Sequence, residues 1–248
     1  MKFPSCYSIG INGLDHSGEN NIGERKLGVI YFSQGGYYLN LRAPLQQRLV
    51  QMDHSQPQPL DPNDWPEELS GIVKDMQGAP INVHKLMANN PALLKAWWAF
   101  RNHSVKGGAL GQRNAELVIL RVAVQMKSWY EWASHVDRAI QTGLTLEEIN
   151  CLLKSEFEGN LSPEECSLIR AVDELTSDHQ IRTESLSLLE KNYSNPQIMD
   201  LIAIHGMYLI LGAMINTWGL ALDEVVAERI SGITDEASFL RAAAAFNP

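Results

Sequence analysis

Residues 114–143 read NAELVILRVAVQMKSWYEWASHVDRAIQTG, and the fold turns on how this stretch is read. Its first part, Glu116 to Met126, is almost wholly apolar and carries one carboxylate and one guanidinium, Glu116 and Arg121. Two side chains five residues apart share a helical face less well than two that are four apart. An internal pair is therefore a poor explanation for both, and each is expected to find a partner elsewhere. After a break at Lys127–Trp129 a second helix is predicted, carrying Tyr130, Glu131 and His135. Glu131 and His135 are four apart, so a carboxylate can orient an imidazole and raise its basicity, which is half of a general acid/base site. A second reading stands beside it. Ser128-x-x-Glu131 is also the pattern of a capping box, in which Glu131 only holds the helix start, and a histidine on an apolar helix serves equally as a hydrogen-bonded core residue.

Outward from this stretch the chain is a succession of helices. Pro66-Glu67-Glu68 opens one, Asn90-Pro91 opens another containing LLKAWWAF, and Gly111-Gln112-Arg113 leads into AELVILRVAVQM. Thr145 with Glu148, and Ser162-Pro163 with Glu165, place an oxygen acceptor before a first turn and a carboxylate at its third position. Gly143 sits where a helix ending near Gln141 needs a left-handed residue. Further helices are predicted at Glu164–Ser177, Thr183–Lys191, Pro196–Leu222 and Asp235–Phe246, with no convincing alternating run between them. The fold class is all-α, a single domain over 58–248. Residues 1–57 read as an irregular N-terminal extension, glycine-scattered, with a short strand at Leu27–Phe32 and a polar exit SQPQPLDPND. Met52, just before the first well-patterned segment, offers an alternative start.

With 248 residues, 45% of them hydrophobic, the chain can bury a core without staples. Its three cysteines, Cys6, Cys151 and Cys166, have neither disulfide-framework nor zinc-site spacing, which fits a reducing cytoplasm. A net charge of −9 argues against nucleic acid, and MKFPSCYSIG lacks the apolar region of an export signal. From Leu201 to Leu222 the chain carries no charged side chain, yet both flanks are acidic and His205, Asn216 and Thr217 interrupt it. We read a core or subunit-interface helix rather than a membrane span. Within it, His205, Tyr208 and Asn216 are expected to hydrogen-bond between helices or subunits.

The order of E-L-V-I-L-R-V-A, Y-E-W-A-S-H-V and A-I-Q-T-G-L-T-L-E-E-I resembles the carboxymuconolactone decarboxylase family, related to alkylhydroperoxidase D. The likeness extends to W-P-E-E-L at 65–69, N-P-A-L-L-K-A-W-W-A-F at 90–100, A-V-D-E-L at 171–175 and M-Y-L-I-L-G-A-M-I-N-T-W-G at 207–219. The resemblance implies an alkylhydroperoxidase D-like helical bundle, homo-oligomeric (dimer, trimer or hexamer) through apolar helices. The redox branch of that superfamily begins the helix with C-x-x-C-x-x-x-H and has an assisting glutamate on the preceding helix. Aligned on His135, Ser128 and Glu131 stand at the two cysteine positions and Glu116 at the assisting glutamate. Serine and glutamate supply neither the attacking nor the resolving thiol of peroxide reduction.

The sequence therefore predicts cofactor-free acid/base chemistry on a small carboxylated or lactone-like compound, decarboxylation or isomerisation, with Glu116, Glu131 and His135 as catalytic residues. Ser128, Tyr130 and Trp132 are expected in the pocket, with no metal and no organic cofactor. The rival readings are a thiol peroxidase using Cys151 or Cys166, and a non-catalytic binding protein that keeps the fold.

Overall fold

The computed structural model describes residues 56–106, 108–157 and 159–246, and the backbone of 37–38 and 50–51. The chain divides into two units, Met1–Ser55 and Gln56–Pro248. In the first, Tyr37–Tyr38 pairs antiparallel with Val50–Gln51; the strand expected at Leu27–Phe32, and Cys6, lie outside the described residues. The second unit is built from helices and turns.

Two 3₁₀ turns, Pro62–Asp64 and Glu67–Leu69, lead into α1 (Ser70–Asp75) and α2 (Asn82–Met87). Then come α3 (Pro91–Val105), α4 (Gln112–Gln125) and α5 (Trp129–Gln141). They are followed by α6 (Leu146–Cys151), α7 (Pro163–Asp178) and α8 (Thr183–Leu189). The chain closes with α9 (Asn195–Trp218), α10 (Glu224–Ile230) and α11 (Glu236–Ala245). The punctuation works as the chemistry of helix ends requires. Asn90 caps α3 through Leu93 N–H with Pro91 behind it, both capping boxes form at Thr145/Glu148 and Ser162/Glu165, and Gly143 is left-handed at φ 89°.

One boundary and two short helices differ from the sequence expectation. The long apolar helix stops at Trp218 rather than Leu222, because Gly219 takes a left-handed φ of 59° and its N–H closes onto Ile215 O. Residues 220–223 then form a loop to α10, a short amphipathic helix that periodicity did not separate from its surroundings, and α2 was likewise unforeseen.

Helix α4 is the axis of the core, packed against α5, α7 and α9. Every residue from Ala115 to Val124 is buried. That explains a sequence with no polar face: burial on all sides comes from three neighbouring helices. Lys127, left-handed at φ 52°, and Ser128 turn the chain back so that α4 and α5 form a hairpin. α9 lies close across the end of α4, where a Cβ on Gly212 would come within 3.3 Å of Met126. By length and composition α9 could cross a membrane, but 56% of its most apolar window is buried within the fold. Its polar residues are paired between helices: His205 Nε2 with Thr176 Oγ1 at 2.9 Å, and Asn216 Nδ2 donating to Met126 O at 2.7 Å.

Candidate active site

Glu116 and Arg121, five apart on α4, do part company. The Arg121 guanidinium is wholly buried, makes a bidentate ion pair with Asp173 of α7 at 2.7 Å, and donates to Leu152 O and Lys154 O. Phe157 and Phe246 cover it at 5.1 and 4.3 Å. Glu116, about one turn into α4, faces α5 instead and accepts a 2.6 Å hydrogen bond from His135 Nδ1. A carboxylate can only accept here, so Nδ1 carries the proton and Nε2 presents its lone pair. Nε2 accepts from the Tyr208 hydroxyl of α9 at 3.1 Å and lies 3.6 Å from Glu131 Oε2. Three side chains, one from each of α4, α5 and α9, thus converge on one imidazole.

Burial sets the charges. Desolvation pushes the Glu131 carboxyl up to about 8, with Arg138 opposing and Glu116 adding to the shift. Glu131 is therefore mainly a neutral acid at pH 7. His135 is pulled down by burial, partly offset by Glu116, which keeps it neutral, and burial raises Tyr208 well above a free phenol. The site holds a proton donor, Glu131, beside a proton acceptor, His135 Nε2.

A cavity of about 30 Å³ adjoins these groups, lined by Tyr130, Glu131, Ser134, His135 and Tyr208, by His84, Arg101 and Arg138, and by apolar residues that include Met207. It has room for about one or two waters. Outside it lies an open cleft of about 1050 Å³ between α1–α2, α5 and α10, and Ile81, Ser134 and Arg138 line both spaces. The site therefore adjoins a cleft large enough for an organic ligand.

The remaining sequence candidates fall as follows. Tyr130 reaches the cavity with its ring, but its hydroxyl accepts from Val83 N–H and donates to Asp223 Oδ2 at 2.5 Å, tying α5 to α2 and the start of α10. Trp132 does not line the cavity: it stacks on Phe239 of α11 at 5.3 Å and donates to Thr234 Oγ1 at 3.3 Å. Ser128 does not line it either, and the capping box with Glu131 is absent. The Ser128 N–H that Glu131 would accept from already closes α4 by donating to Ala123 O, leaving Ser128 Oγ and Glu131 Oε1 buried without partners. Cys151 and Cys166 are buried on α6 and α7, outside both cavities, and burial pushes the Cys151 thiol up to about 11.

Sequence reasoning missed Arg101, Arg138 and Ser134, and it expected Tyr208 to hydrogen-bond between helices, as it does, without naming His135 as its partner. Ser134 and Arg138 lie one and two turns beyond Tyr130–Glu131 on the exposed side of α5, a signal that helical spacing carried. Nothing local could place Tyr208, which is 73 residues from His135 in the chain.

An all-α chain with an alkylhydroperoxidase D-like fold, holding a buried carboxylate–imidazole pair on its central hairpin, is the class this geometry defines. Residues 91–174 match the model of the Carboxymuconolactone decarboxylase family, a span that contains α4, α5 and the Glu116–His135 pair. Among solved structures the chain is similar to an uncharacterised peroxidase-related protein with an alkylhydroperoxidase AhpD core from Ralstonia eutropha JMP134. The TM-score is 0.60 at 15% identity, covering 70% of this chain and 95% of that one. A peroxidase-related protein from Silicibacter sp. TM1040 superposes at a TM-score of 0.59 and 18% identity, over 69% and 95% of the two chains. The debrominase Bmp8, in complex with 2,3,4-tribromopyrrole, gives 0.58 at 16% identity over 73% and 99%. At these identities the similarity is one of fold. Comparison with curated proteins finds no match.

Proposed function

We propose that the protein is an acid/base enzyme of the carboxymuconolactone decarboxylase type, acting without thiol chemistry on a small carboxylated or lactone-like compound. One observation carries this: Glu116 fixes His135 in the tautomer whose Nε2 faces Tyr208, Glu131 and the cavity. In a decarboxylation the C–CO₂ bond breaks and its electron pair moves into an adjacent carbonyl as an enolate. The carbon then takes one proton from a donor on the wall. Glu131, neutral at pH 7, supplies that proton directly or through His135, and the Tyr208 hydroxyl stabilises the oxygen on which charge collects. An isomerisation uses the same groups in a different order, with His135 Nε2 removing a proton and Glu131 returning one. The exposed apolar residues Met199, Ile202 and Ile210 of α9 support a homo-oligomer, and we place the protein in the cytoplasm.

The experiment is a screen of small carboxylic acids and carboxylated lactones for carbon dioxide release or double-bond movement. A substrate that wild type turns over should lose about 10²–10⁴ in kcat with His135→Gln or Glu116→Gln. Unchanged turnover by both variants would sink the reading. Loss of free thiol on exposure to hydroperoxide would favour the peroxidase alternative instead.

A further inference from the structure

The boundary shared by the open cleft and the inner cavity carries more positive charge than the acid/base reading uses. Arg101 of α3 and Arg138 of α5 both line the inner cavity, and Arg138 also lines the cleft. Among the described residues neither guanidinium forms an ion pair: the Arg101 Nη1 hydrogen bond goes to neutral Asn102, and its plane lies 4.9 Å from the Trp98 ring. Nearby carboxylates are committed elsewhere. Asp75 accepts from Trp98 Nε1, Asp137 faces Arg229 at 3.4 Å, and Asp223 holds Tyr130 and Asn82 N–H. Glu131 is a neutral acid at pH 7. Asp75 attracts Arg101 from a longer range, but among the described residues neither guanidinium has a carboxylate at ion-pair distance.

The same place holds polar atoms that no protein group satisfies. His84 Nδ1, Glu131 Oε1 and Ser134 Oγ are buried without hydrogen-bond partners, and all three residues line the inner cavity. Arg101 and Arg138 together pull His84 down, after burial itself, to about 3. His84 is thus a neutral imidazole that adds no charge but can donate or accept one hydrogen bond. Partly buried cations without a carboxylate partner and orphaned polar atoms in one spot cost stability unless a ligand completes them.

We propose that Arg101 and Arg138, with Ser134, form an anion clamp at the inner end of the cleft. It takes one planar carboxylate of the ligand and sets the adjoining carbon against His135 Nε2. Guanidinium suits this task because its planar donor fork matches a carboxylate. The rest of the ligand lies outward in the cleft, along Val73, Pro80, Val225 and Val226. Arg101 and Arg138 are positioning and specificity residues; the proton transfers remain with His135 and Glu131. The inference deepens the acid/base reading but does not need turnover to be tested.

The probe is 2-furoate, compared with its neutral isostere 2-furamide, by titration calorimetry on the full-length protein. Wild type should bind furoate saturably and show no saturable binding of the amide. Arg138→Gln and Arg101→Gln should each weaken furoate binding about tenfold or more, whereas Arg241→Gln, on α11 and lining neither space, should stay within about threefold of wild type. A separate arm needs no variant: phenylglyoxal modification of Arg138, followed by mass mapping, should be slowed by furoate and unaffected by furamide. Equal binding of acid and amide, absence of furoate binding to wild type, or a loss in Arg241→Gln as large as in the two clamp variants would each overturn the clamp. A clamp that binds furoate in a protein that releases no carbon dioxide from any acid would leave the clamp standing and remove the enzyme.

Discussion

Helix α4 buries two ionic clusters five residues apart, and they differ in whether their polar atoms are satisfied. Around Arg121 every partner is present: a bidentate carboxylate, two carbonyls and two aromatic rings. Around Glu116 and His135 one oxygen of Glu131, the hydroxyl of Ser134 and a nitrogen of His84 have no protein partner, and two arginines without an ion-pair partner line the same space. The first arrangement is complete as a folded chain, while the second is complete only with something else in it. Residue types do not separate the two, since each contains a buried cationic or potentially cationic side chain and a carboxylate. The count of unmet hydrogen bonds does.

The contrast breaks most visibly at Arg121. Arg121→Met leaves Asp173 half-buried with only Gln125 donating to it, and should cost about 3–5 kcal/mol in denaturant unfolding. A loss below about 1 kcal/mol would mean the cluster is not structural. Next is the pH profile of Glu131. Its folded pKa, about 8, lies above the unfolded 4.5, so the folded state binds the extra proton between those values. Its contribution to stability is therefore fully present below pH 4.5 and falls as pH rises through 8. Glu131→Gln, which stays neutral, should gain on wild type by a few kcal/mol between pH 5 and 9. Parallel profiles of the two proteins in urea would remove the neutral acid from the site. His135 acts in the opposite sense: pulled below 6.5, it favours the fold above pH 6.5 and loses that contribution as pH falls.

Smaller effects sharpen the picture. Phe246→Leu keeps apolar cover over Arg121 but removes the ring face, and should lower stability by about 1 kcal/mol; no change in Tm would show that packing alone suffices there. Ser128→Ala should move stability by no more than about 0.5 kcal/mol, since its hydroxyl has no partner. A loss near 1 kcal/mol would restore the capping role that the sequence suggested.

Much of this was legible in the sequence because it is local. The spacing of Glu116 and Arg121 foretold separate partners, Pro and Ser/Thr-x-x-Glu grammar marked α3, α6 and α7, and the resemblance placed Glu116 beside His135. The features that escaped depend on groups far apart in the chain: Tyr208 and Asp173 are 73 and 52 residues from the side chains they meet. The Ser128–Glu131 pattern misled for a related reason. A capping box requires an unused N–H, and the tight turn through Lys127 had already committed it to the preceding helix.

The three groups assigned to proton transfer, Glu131, His135 and Tyr208, are held by α5 and α9 in fixed positions on the wall of the inner cavity. A planar enolate held there by an anchored carboxylate can turn only one of its faces toward them. If the carbon it protonates carries three further different substituents, the product leaves as a single mirror-image form. Run in deuterium oxide, the same reaction would write the label at that face alone.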